Sequence, residues 1–333
     1  MYNLIKKLTA VFSVSGCESQ IADIIKNEAQ GFADEISIDK MGNLICLKKG
    51  KDSSKKVMVA AHMDEIGFVV TSIDDKGFIR VSNIGGIYPI YSSFQKVVFE
   101  NGTKGIIIVD DKATEGTAKL KMRDMIIDIG AKSRKEALKK VKVGDTCAVA
   151  PSLTRLMNNR LSAKAFDDRI GAAVALYSLK NISTPAYDTY FVFTVQEEVG
   201  LRGSKAAAFT IAPDYSIAID VTRTGDEPGV PPMECKLDGG AAIKIKDSSV
   251  ICAPKMVKAL TKVAEDNKIK YQYEILEGGG TDTASMQTTG AGSFAGAISI
   301  PTRYIHSPVE MISLNDVMAC TKLLTAFLEK EID

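Results

Sequence analysis

Residues 57–65 read Val57-Met58-Val59-Ala60-Ala61-His62-Met63-Asp64-Glu65. The five apolar residues predict a strand buried on both faces, which is typical of a parallel sheet covered by helices. His62 and two acids follow this strand directly, and open α/β sheets place their sites at the carboxyl ends of their strands. The stretch therefore predicts an α/β fold with a functional site at one edge of the sheet.

Three further apolar runs of strand length also precede a histidine or an acid. They are Tyr190–Val195 before Glu197-Glu198, Ser216–Ile219 before Asp220, and Ala297–Ile300 before His306. Amphipathic stretches typical of helices alternate with these runs, one beginning at Asp167-Asp168 and the last at a Ser313 cap. This alternation predicts an α/β domain in which helices sandwich the sheet.

The segment between the first strand and the Asp pair has a different composition. It is rich in Val, Ile, Phe, Tyr and turn residues, with hairpin signals at residues 74–77 and at Asn101-Gly102. We expect residues 67–159 to form an inserted β-barrel-like domain. Residues 1–66 and 160–333 are then expected to form the catalytic α/β domain.

Charge, hydropathy and cysteine content argue against several kinds of partner and site. Lys and Arg (42) nearly balance Asp and Glu (41), and the net charge of +1 gives no reason to expect a nucleic-acid or membrane-surface partner. No apolar run approaches the ~18 residues of a membrane span. The six cysteines are scattered without a Cys-x-x-Cys pair, which argues against a structural zinc site and for a reducing compartment. We expect a cytoplasmic protein.

The amino-terminal segment has two interpretations. Val14-Ser15-Gly16-Cys17 could pass as a lipoprotein cleavage box after a basic and then fairly apolar stretch. The apolar stretch is short and interrupted by hydroxyl residues, which favours an amphipathic helix with Leu4, Leu8 and Val11 on one face. We expect this helix to end near Gly16.

The chain has only two histidines, His62 and His306, and both lie next to predicted strand ends. Imidazole and carboxylate are common ligands for zinc and similar ions. Taken alone, each acidic pair has an ordinary explanation, since Asp167-Asp168 could cap a helix and Glu197-Glu198 could be a solvated turn. Four strands that each deliver a histidine or an acid to one edge, with an Asp pair beside them, favour a metal site.

Two divalent ions account for these side chains better than one. A single catalytic zinc needs about three protein ligands, whereas two ions about 3.5–4 Å apart share a bridging carboxylate and a water. The expected ligands are His62, Asp167, Glu198, Asp220 and His306. Asp167 is the expected bridge; either Glu198 or Asp220 joins His62, and the other joins His306. Glu197 is left unbound beside the ions, which suits a general base. Zn²⁺ is the expected ion, and Co²⁺ or Mn²⁺ also suits nitrogen and oxygen ligands.

Five stretches together resemble one protein family. They are Ala61-His62-Met63-Asp64-Glu65-Ile66-Gly67-Phe68, Lys164-Ala165-Phe166-Asp167-Asp168-Arg169, Val195-Gln196-Glu197-Glu198-Val199-Gly200-Leu201-Arg202-Gly203, Gly279-Gly280-Thr281-Asp282 and Arg303-Tyr304-Ile305-His306-Ser307. In this order they are similar to the tetrahedral, TET-type aminopeptidases, a family of dinuclear metallopeptidases. The family includes glutamyl and deblocking aminopeptidases and proteins labelled cellulase M. Ser15-Gly16-Cys17-Glu18 also resembles the family's amino-terminal Ser-Gly-x-Glu, which disfavours the lipoprotein interpretation.

The resemblance implies a phosphorylase/hydrolase-like fold and a reaction. Single residues would be removed from free amino termini of short peptides by water that two metal ions activate. It implies the same ligands, with Glu197 as the catalytic base and Asp64 orienting His62. It also implies a hollow homo-oligomer, commonly of twelve subunits. One departure affects the insertion, because residues 105–112 stand where the family often carries Pro-Pro-His.

The residues leave three alternative functions open. The same metal centre could serve a related amidohydrolase, such as a deacylase or a carboxypeptidase. A glycosidase could use two of the carboxylates, but it would leave both histidines without a role. A non-catalytic assembly protein could keep the metals for stability, although a purely structural site has no need of an unbound base such as Glu197. The preferred amino-terminal residue is not decided by the sequence.

Overall fold

The computed structural model describes residues 1–110 and 120–332. Its helices are α1 (Tyr2–Thr9), α2 (Ser19–Ala29), α3 (Pro89–Ser92), α4 (Arg134–Ala137), α5 (Phe166–Asn181), α6 (Arg202–Ile211), α7 (Pro254–Asp266), α8 (Asp282–Thr288) and α9 (Leu314–Leu328). Its strands are β1 (Glu35–Ile38), β2 (Leu44–Lys48), β3 (Asp52–His62), β4 (Gly67–Ile73), β5 (Ile79–Ile84), β6 (Lys96–Phe99), β7 (Lys104–Val109), β8 (Met125–Asp128), β9 (Thr146–Val149), β10 (Thr154–Arg155), β11 (Arg160–Ala163), β12 (Tyr187–Thr194), β13 (Tyr215–Thr222), β14 (Ala241–Lys246), β15 (Tyr271–Ile275), β16 (Phe294–Arg303) and β17 (Glu310–Ser313).

Eleven strands of the described residues form one large mixed sheet. Its order is β1-β2-β12-β3-β13-β16-β17-β11-β10, and β14 pairs with both β16 and β15. In the centre, β12, β3, β13 and β16 lie side by side in parallel, and their apolar side chains are buried. These central strands contain the four apolar runs described above, except for Val195, which follows β12. The expected sheet therefore forms, with antiparallel pairs such as β2–β12 and β16–β17 at its flanks.

Helices cover both faces of this sheet. On one face, α1, α2, α5, α7 and α9 share a continuous core with the central strands. On the other face, α6 and α8 pack against Met58, Ala60 and Ala218. α5 lies between the sheet and α1, α2 and α9, so nearly all of its first fourteen residues are buried. The predicted α/β sandwich is confirmed. No helix among residues 1–110 and 120–332 is both long and apolar enough to cross a membrane.

A second, smaller sheet closes into a barrel with the order β4-β5-β8-β7-β6-β9. Phe68, Phe99 and Ile127 lie in its buried core. The turns at the predicted hairpin positions connect β4 to β5 and β6 to β7. Gly77 (φ +93°) and Gly102 (φ +84°) adopt the left-handed backbone that these turns require, which glycine adopts without steric cost. The predicted β-rich segment is thus a barrel.

The barrel strands run from Gly67 to Val149. β10 falls inside the range 67–159 that was predicted for the insertion, yet it pairs with β11 at the edge of the large sheet. The chain therefore re-enters the large sheet before residue 160. The comparison of residues 105–112 with Pro-Pro-His reaches residues 111 and 112, which lie outside the described residues.

The amino-terminal helix is shorter than its sequence predicts, because α1 ends at Thr9 and not near Gly16. The chain beyond it runs beside Glu65. The Glu65 N–H donates to the Ser13 carbonyl (2.9 Å), and the Ser15 N–H donates to the Glu65 carbonyl (3.3 Å). These tertiary hydrogen bonds use backbone groups that a longer helix would have paired internally.

Candidate metal centre

The central strands and α5 deliver the candidate side chains to one edge of the sheet. His62 is the last residue of β3, which ends in register with β12. Glu197-Glu198 follow β12 after two residues, and His306 is the third residue after β16. Asp220 lies near the end of β13, and Asp167 belongs to the first turn of α5. Residues up to 244 positions apart in the chain of 333 thus reach one place.

Asp167 lies between the two histidines. Its Oδ1 atom is 3.0 Å from His62 Nε2, and its Oδ2 atom is 3.2 Å from His306 Nε2. Each oxygen of this carboxylate therefore faces a different imidazole. A carboxylate that bridges two metal ions needs this arrangement.

Three further carboxylates surround the histidine pair. Glu198 Oε2 lies 3.3 Å from His306 Nε2. Glu197 Oε2 and Asp220 Oδ1 lie 3.9 Å and 4.0 Å from His62 Nε2. Glu198 is thus close to His306, whereas Glu197 and Asp220 approach His62. The structure brings together the five side chains expected as ligands and the expected base.

Burial and mutual repulsion perturb these acids. Burial, followed by the charges of neighbouring carboxylates, raises the pKa of Glu197 well above its ordinary value, against the attraction of His62. Burial is also the main cause that raises the pKa of Asp220 and of Glu198. Burial opposes ionisation of Asp167 too, but hydrogen bonds from the two histidines outweigh it and lower the pKa of that carboxyl. A buried cluster of this kind favours bound positive charge.

The donor atoms fit divalent metal ions. Two groups, His62 with Asp168 and Asp220, and His62 with Asp167 and Glu198, each place three possible ligand atoms within 4.8 Å of one another. Around a tetrahedral zinc ion with bonds of about 2.1 Å, neighbouring ligand atoms lie roughly 3.4 Å apart. The Asp167 oxygens lie 3.0 and 3.2 Å from the histidine nitrogens, and Glu198 Oε2 lies 3.3 Å from His306 Nε2, all close to that value. Glu198 Oε1 is buried without a hydrogen-bond partner in the described part of the chain, which suits an atom that binds a metal.

The two members of the Asp pair have different surroundings. Asp167 faces the histidines, whereas Asp168 turns toward the backbone. Asp168 Oδ2 accepts the His62 N–H (3.2 Å), and Asp168 Oδ1 accepts the Gly171 N–H (2.9 Å). A Cβ at position 171 would collide with the Asp168 carboxylate, so glycine is required there. Asp168 therefore fixes the end of β3 against α5.

Asp64 contacts more than the histidine it was expected to orient. Its Oδ1 atom lies 3.4 Å from His62 Nδ1, and that nitrogen makes no hydrogen bond within the described residues. Asp64 does accept the backbone N–H groups of Glu197 (3.0 Å) and Glu198 (3.2 Å). It also accepts the Ser15 hydroxyl (2.7 Å). Its firmest contacts are thus with the glutamate pair and with Ser15.

Two supporting acids had no role in the sequence analysis. Glu310 accepts the N–H groups of Asp167 (3.0 Å) and His306 (2.9 Å), and burial followed by the Asp167 charge raises the pKa of Glu310 to about 8. Glu65 accepts from Lys164 and from the fully buried Arg169 (3.1 Å). Glu65, Lys164 and Arg169 all belong to motifs quoted above, but the sequence did not indicate that they contact one another. For Glu310, the one sequence feature that could have indicated a role is its position four residues after His306.

A cavity of about 1150 Å³ opens onto the cluster. Asp167, Glu197, Glu198, Asp220 and His306 lie in its wall. The rest of its wall is mainly apolar and includes Val221, Val230, Pro231, Met233, Leu276 and Ile305. Apolar clefts with a few convergent polar groups are typical of substrate sites. The cavity is large enough to admit the end of a peptide.

Comparisons with known proteins agree with this geometry. A family model described as M42 glutamyl aminopeptidase matches residues 42–323. A relative from Acetivibrio thermocellus, provisionally named an aminopeptidase, is 50% identical over 97% of each chain. The structure of aminopeptidase APDkam598 from Desulfurococcus kamchatkensis is similar with a TM-score of 0.95 and 40% identity, over 99% of this chain and 94% of that one. The Pyrococcus horikoshii TET1 peptidase, which can assemble into a tetrahedron or a large octahedral shell, is similar with a TM-score of 0.89 and 33% identity over 99% of both chains. The chain belongs to the M42 glutamyl aminopeptidase family.

Proposed function

We propose that this protein is a dinuclear metal-dependent aminopeptidase that removes single residues from free amino termini of short peptides. The observation that carries the proposal is the position of Asp167, whose two oxygens face His62 and His306 at 3.0 and 3.2 Å. A single-metal site has no need of one carboxylate between two imidazoles. Zn²⁺ is the proposed ion, with Co²⁺ or Mn²⁺ as substitutes.

The distances support one division of the ligands. His306 and Glu198, 3.3 Å apart, would hold one ion. His62 and Asp220 would hold the other, and Asp167 would contribute an oxygen to each. When bound, the two ions supply Lewis-acid polarisation of the scissile carbonyl and of the attacking water.

Glu197 is proposed as the proton carrier. It lies at the same edge but in neither proposed ligand group, and burial followed by neighbouring carboxylates raises its pKa. A carboxylate with a raised pKa can take a proton from the attacking water and hold it. It can then give the proton to the leaving amine nitrogen as the peptide bond breaks. The Asp64 hydrogen bond to the Glu197 N–H keeps the base in place.

The cluster also accounts for a requirement for a free amino terminus. The proposed metal centre lies in the wall of the cavity. A substrate ammonium group would share or lose its proton beside this centre. An acetylated terminus has neither the charge nor the proton, so it gains nothing from the cluster and is positioned less well.

A panel of aminoacyl anilides, N-acetylated counterparts and N-acyl amino acids tests this proposal with metal-replete protein. We expect hydrolysis of the unblocked anilides and little or none of the acetylated ones. The alternative amidohydrolase would instead release the acyl group from N-acyl amino acids, and a carboxypeptidase would require a free carboxyl terminus. Either pattern would replace the aminopeptidase assignment.

We also propose a homo-oligomer of twelve subunits. The TET1 relative assembles into a tetrahedron or a larger shell, and the α3 region of this chain exposes apolar side chains, with Ile90 65% and Phe94 74% exposed. Such surfaces commonly become buried between subunits. At micromolar concentration, light scattering is expected to give about twelve times the chain mass of 35.8 kDa. A monomer would refute assembly, and a heavier particle would replace the twelve-subunit form with a larger shell.

We propose an inserted domain over residues 67–159, which contains the barrel strands β4 to β9, and a catalytic domain formed by residues 1–66 and 160–333. We place the protein in the cytoplasm, since all six cysteines are free thiols and five of them are buried. Reducing conditions keep thiols in this state.

A further inference from the structure

Three successive backbone N–H groups at the site donate to two buried carboxylates. The Gln196 N–H donates to Glu18 Oε1 (3.1 Å), the Glu197 N–H to Asp64 Oδ1 (3.0 Å) and the Glu198 N–H to Asp64 Oδ2 (3.2 Å). Gln196 has φ +55°, a left-handed conformation that is uncommon for residues with a side chain. The two carboxylates therefore hold a turn that the local sequence does not favour.

The segment between α1 and α2 contacts both carboxylates. The Ser15 hydroxyl donates to Asp64 Oδ2 (2.7 Å), and the Gly16 N–H donates to Glu18 Oε1 (2.8 Å). The Ser15 N–H also donates to the Glu65 carbonyl, which anchors the segment beside the strand end that carries His62. The candidate metal centre is thus in contact with the segment Ser15-Gly16-Cys17-Glu18 through Asp64 and Gln196. The proposed reaction gives this segment no role.

Burial of the Glu18 carboxylate at this position costs free energy. Glu18 is 7% exposed, and its hydrogen-bond partners in the described part of the chain are the backbone N–H groups of Gly16 and Gln196. Taking a carboxylate out of water costs several kcal/mol in order of magnitude, and backbone donors offset only part of that cost. Stability alone is a weak reason for such a group. The geometry of the turn at Gln196 is a stronger one.

We infer that Ser15 and Glu18 are positioning residues for the reaction. Glu18 acts through the Gln196 N–H, and Ser15 acts through Asp64. Together they fix the backbone of Glu197 and Glu198, so that the base keeps its orientation toward the substrate carbonyl. The inference rests on the proposed function, because it assumes that Glu197 acts on a bound peptide. Neither Ser15 nor Glu18 touches the reacting atoms.

Steady-state kinetics of the metal-replete protein provides the first test. Glu18→Ala removes the acceptor, and a displacement of about 1 Å at a catalytic group can cost ~100-fold in rate. We expect kcat to fall by at least about 10-fold with KM within about threefold, because the interaction supports the base and not substrate binding. Glu18→Gln keeps an acceptor oxygen of the same reach and is expected to restore most of kcat. Ser15→Ala removes one donor to Asp64 and is expected to give a smaller fall of the same kind.

Hydrogen exchange of the metal-free protein provides a second test that does not depend on activity. Glu18→Ala is expected to speed amide exchange at Gly16 and in a peptide that covers residues 195–201, the two places whose N–H groups donate to Glu18, with other segments unchanged. Glu18→Gln is expected to keep the protection. Glu28→Ala is the matched control, since Glu28 is a carboxylate on α2 that pairs with Lys7 (2.6 Å) and Lys180. It is expected to leave both kcat and exchange at 195–201 unchanged.

The outcomes separate this inference from the proposed function. A wild-type protein that hydrolyses no peptide would reject the proposed function, while the exchange result would still report on the turn. An active wild type with normal kcat and normal exchange in Glu18→Ala would overturn the inference alone. A fall in kcat that is as large in Glu18→Gln as in Glu18→Ala would also overturn it. If Glu18→Ala does not fold, Ser15→Ala decides, and wild-type kcat and exchange in that variant would reject the positioning role.

Discussion

Glu197→Gln is expected to retain both metal ions and lose nearly all peptide hydrolysis. The amide matches the carboxylate in size and keeps its hydrogen-bonding capacity, but it cannot take the proton from water. A general base typically contributes ~100- to 10,000-fold, and this one also returns the proton to the leaving amine. We therefore expect kcat to fall by at least ~1000-fold, measured on an unblocked aminoacyl anilide, with metal content measured by elemental analysis.

The control for this variant is Glu265→Gln, the same chemical change at an exposed residue of α7. It is expected to leave kcat unchanged. Near-normal activity in Glu197→Gln would remove Glu197 from the mechanism. A large loss of metal in that variant would instead make Glu197 a ligand, which would contradict the proposed division of roles.

Substitution of either histidine is expected to lower metal content and activity together. His62→Ala and His306→Ala each remove the nitrogen that faces one oxygen of Asp167. Loss of residues that only support a metal ligand commonly costs 10- to 100-fold, so loss of a ligand itself is expected to cost at least ~100-fold in turnover. Each variant should retain fewer than two ions per chain by elemental analysis.

Chelation supplies the corresponding test on the unaltered protein. Exhaustive dialysis against a chelator should abolish hydrolysis, and Zn²⁺, Co²⁺ or Mn²⁺ should restore it in wild type but not in His62→Ala. Wild-type protein that stays active with metal shown to be absent would eliminate the two-metal account.

The main features of the fold could be predicted because they follow from local patterns. The apolar run Val57–Ala61 has the length and composition of a strand buried on both faces, and β3 contains it. Neighbouring parallel strands end at the same edge of the sheet. The histidines and acids that follow these strands were therefore expected to lie close together. For this reason His62, Asp220 and His306 could be assigned to one site before their distances were known.

The supporting contacts could not be predicted, because they join side chains to backbone groups far away in the sequence. Glu18 accepts an N–H from Gln196, 178 positions away, and no periodicity marks that pair. Glu310 is similar, since its partner Asp167 lies 143 positions away. The early end of α1 has the same origin, because hydrogen bonds to Glu65 replace those of a longer helix.

The most direct test of the account is a time course of peptide digestion followed by mass spectrometry. A short peptide with a free amino terminus is incubated with metal-replete protein beside its acetylated form and a chelated sample. The account predicts a ladder that shortens one residue at a time from the amino end, with the acetylated and chelated samples intact. Internal fragments, trimming from the carboxyl end or an equal ladder from the acetylated peptide would contradict it.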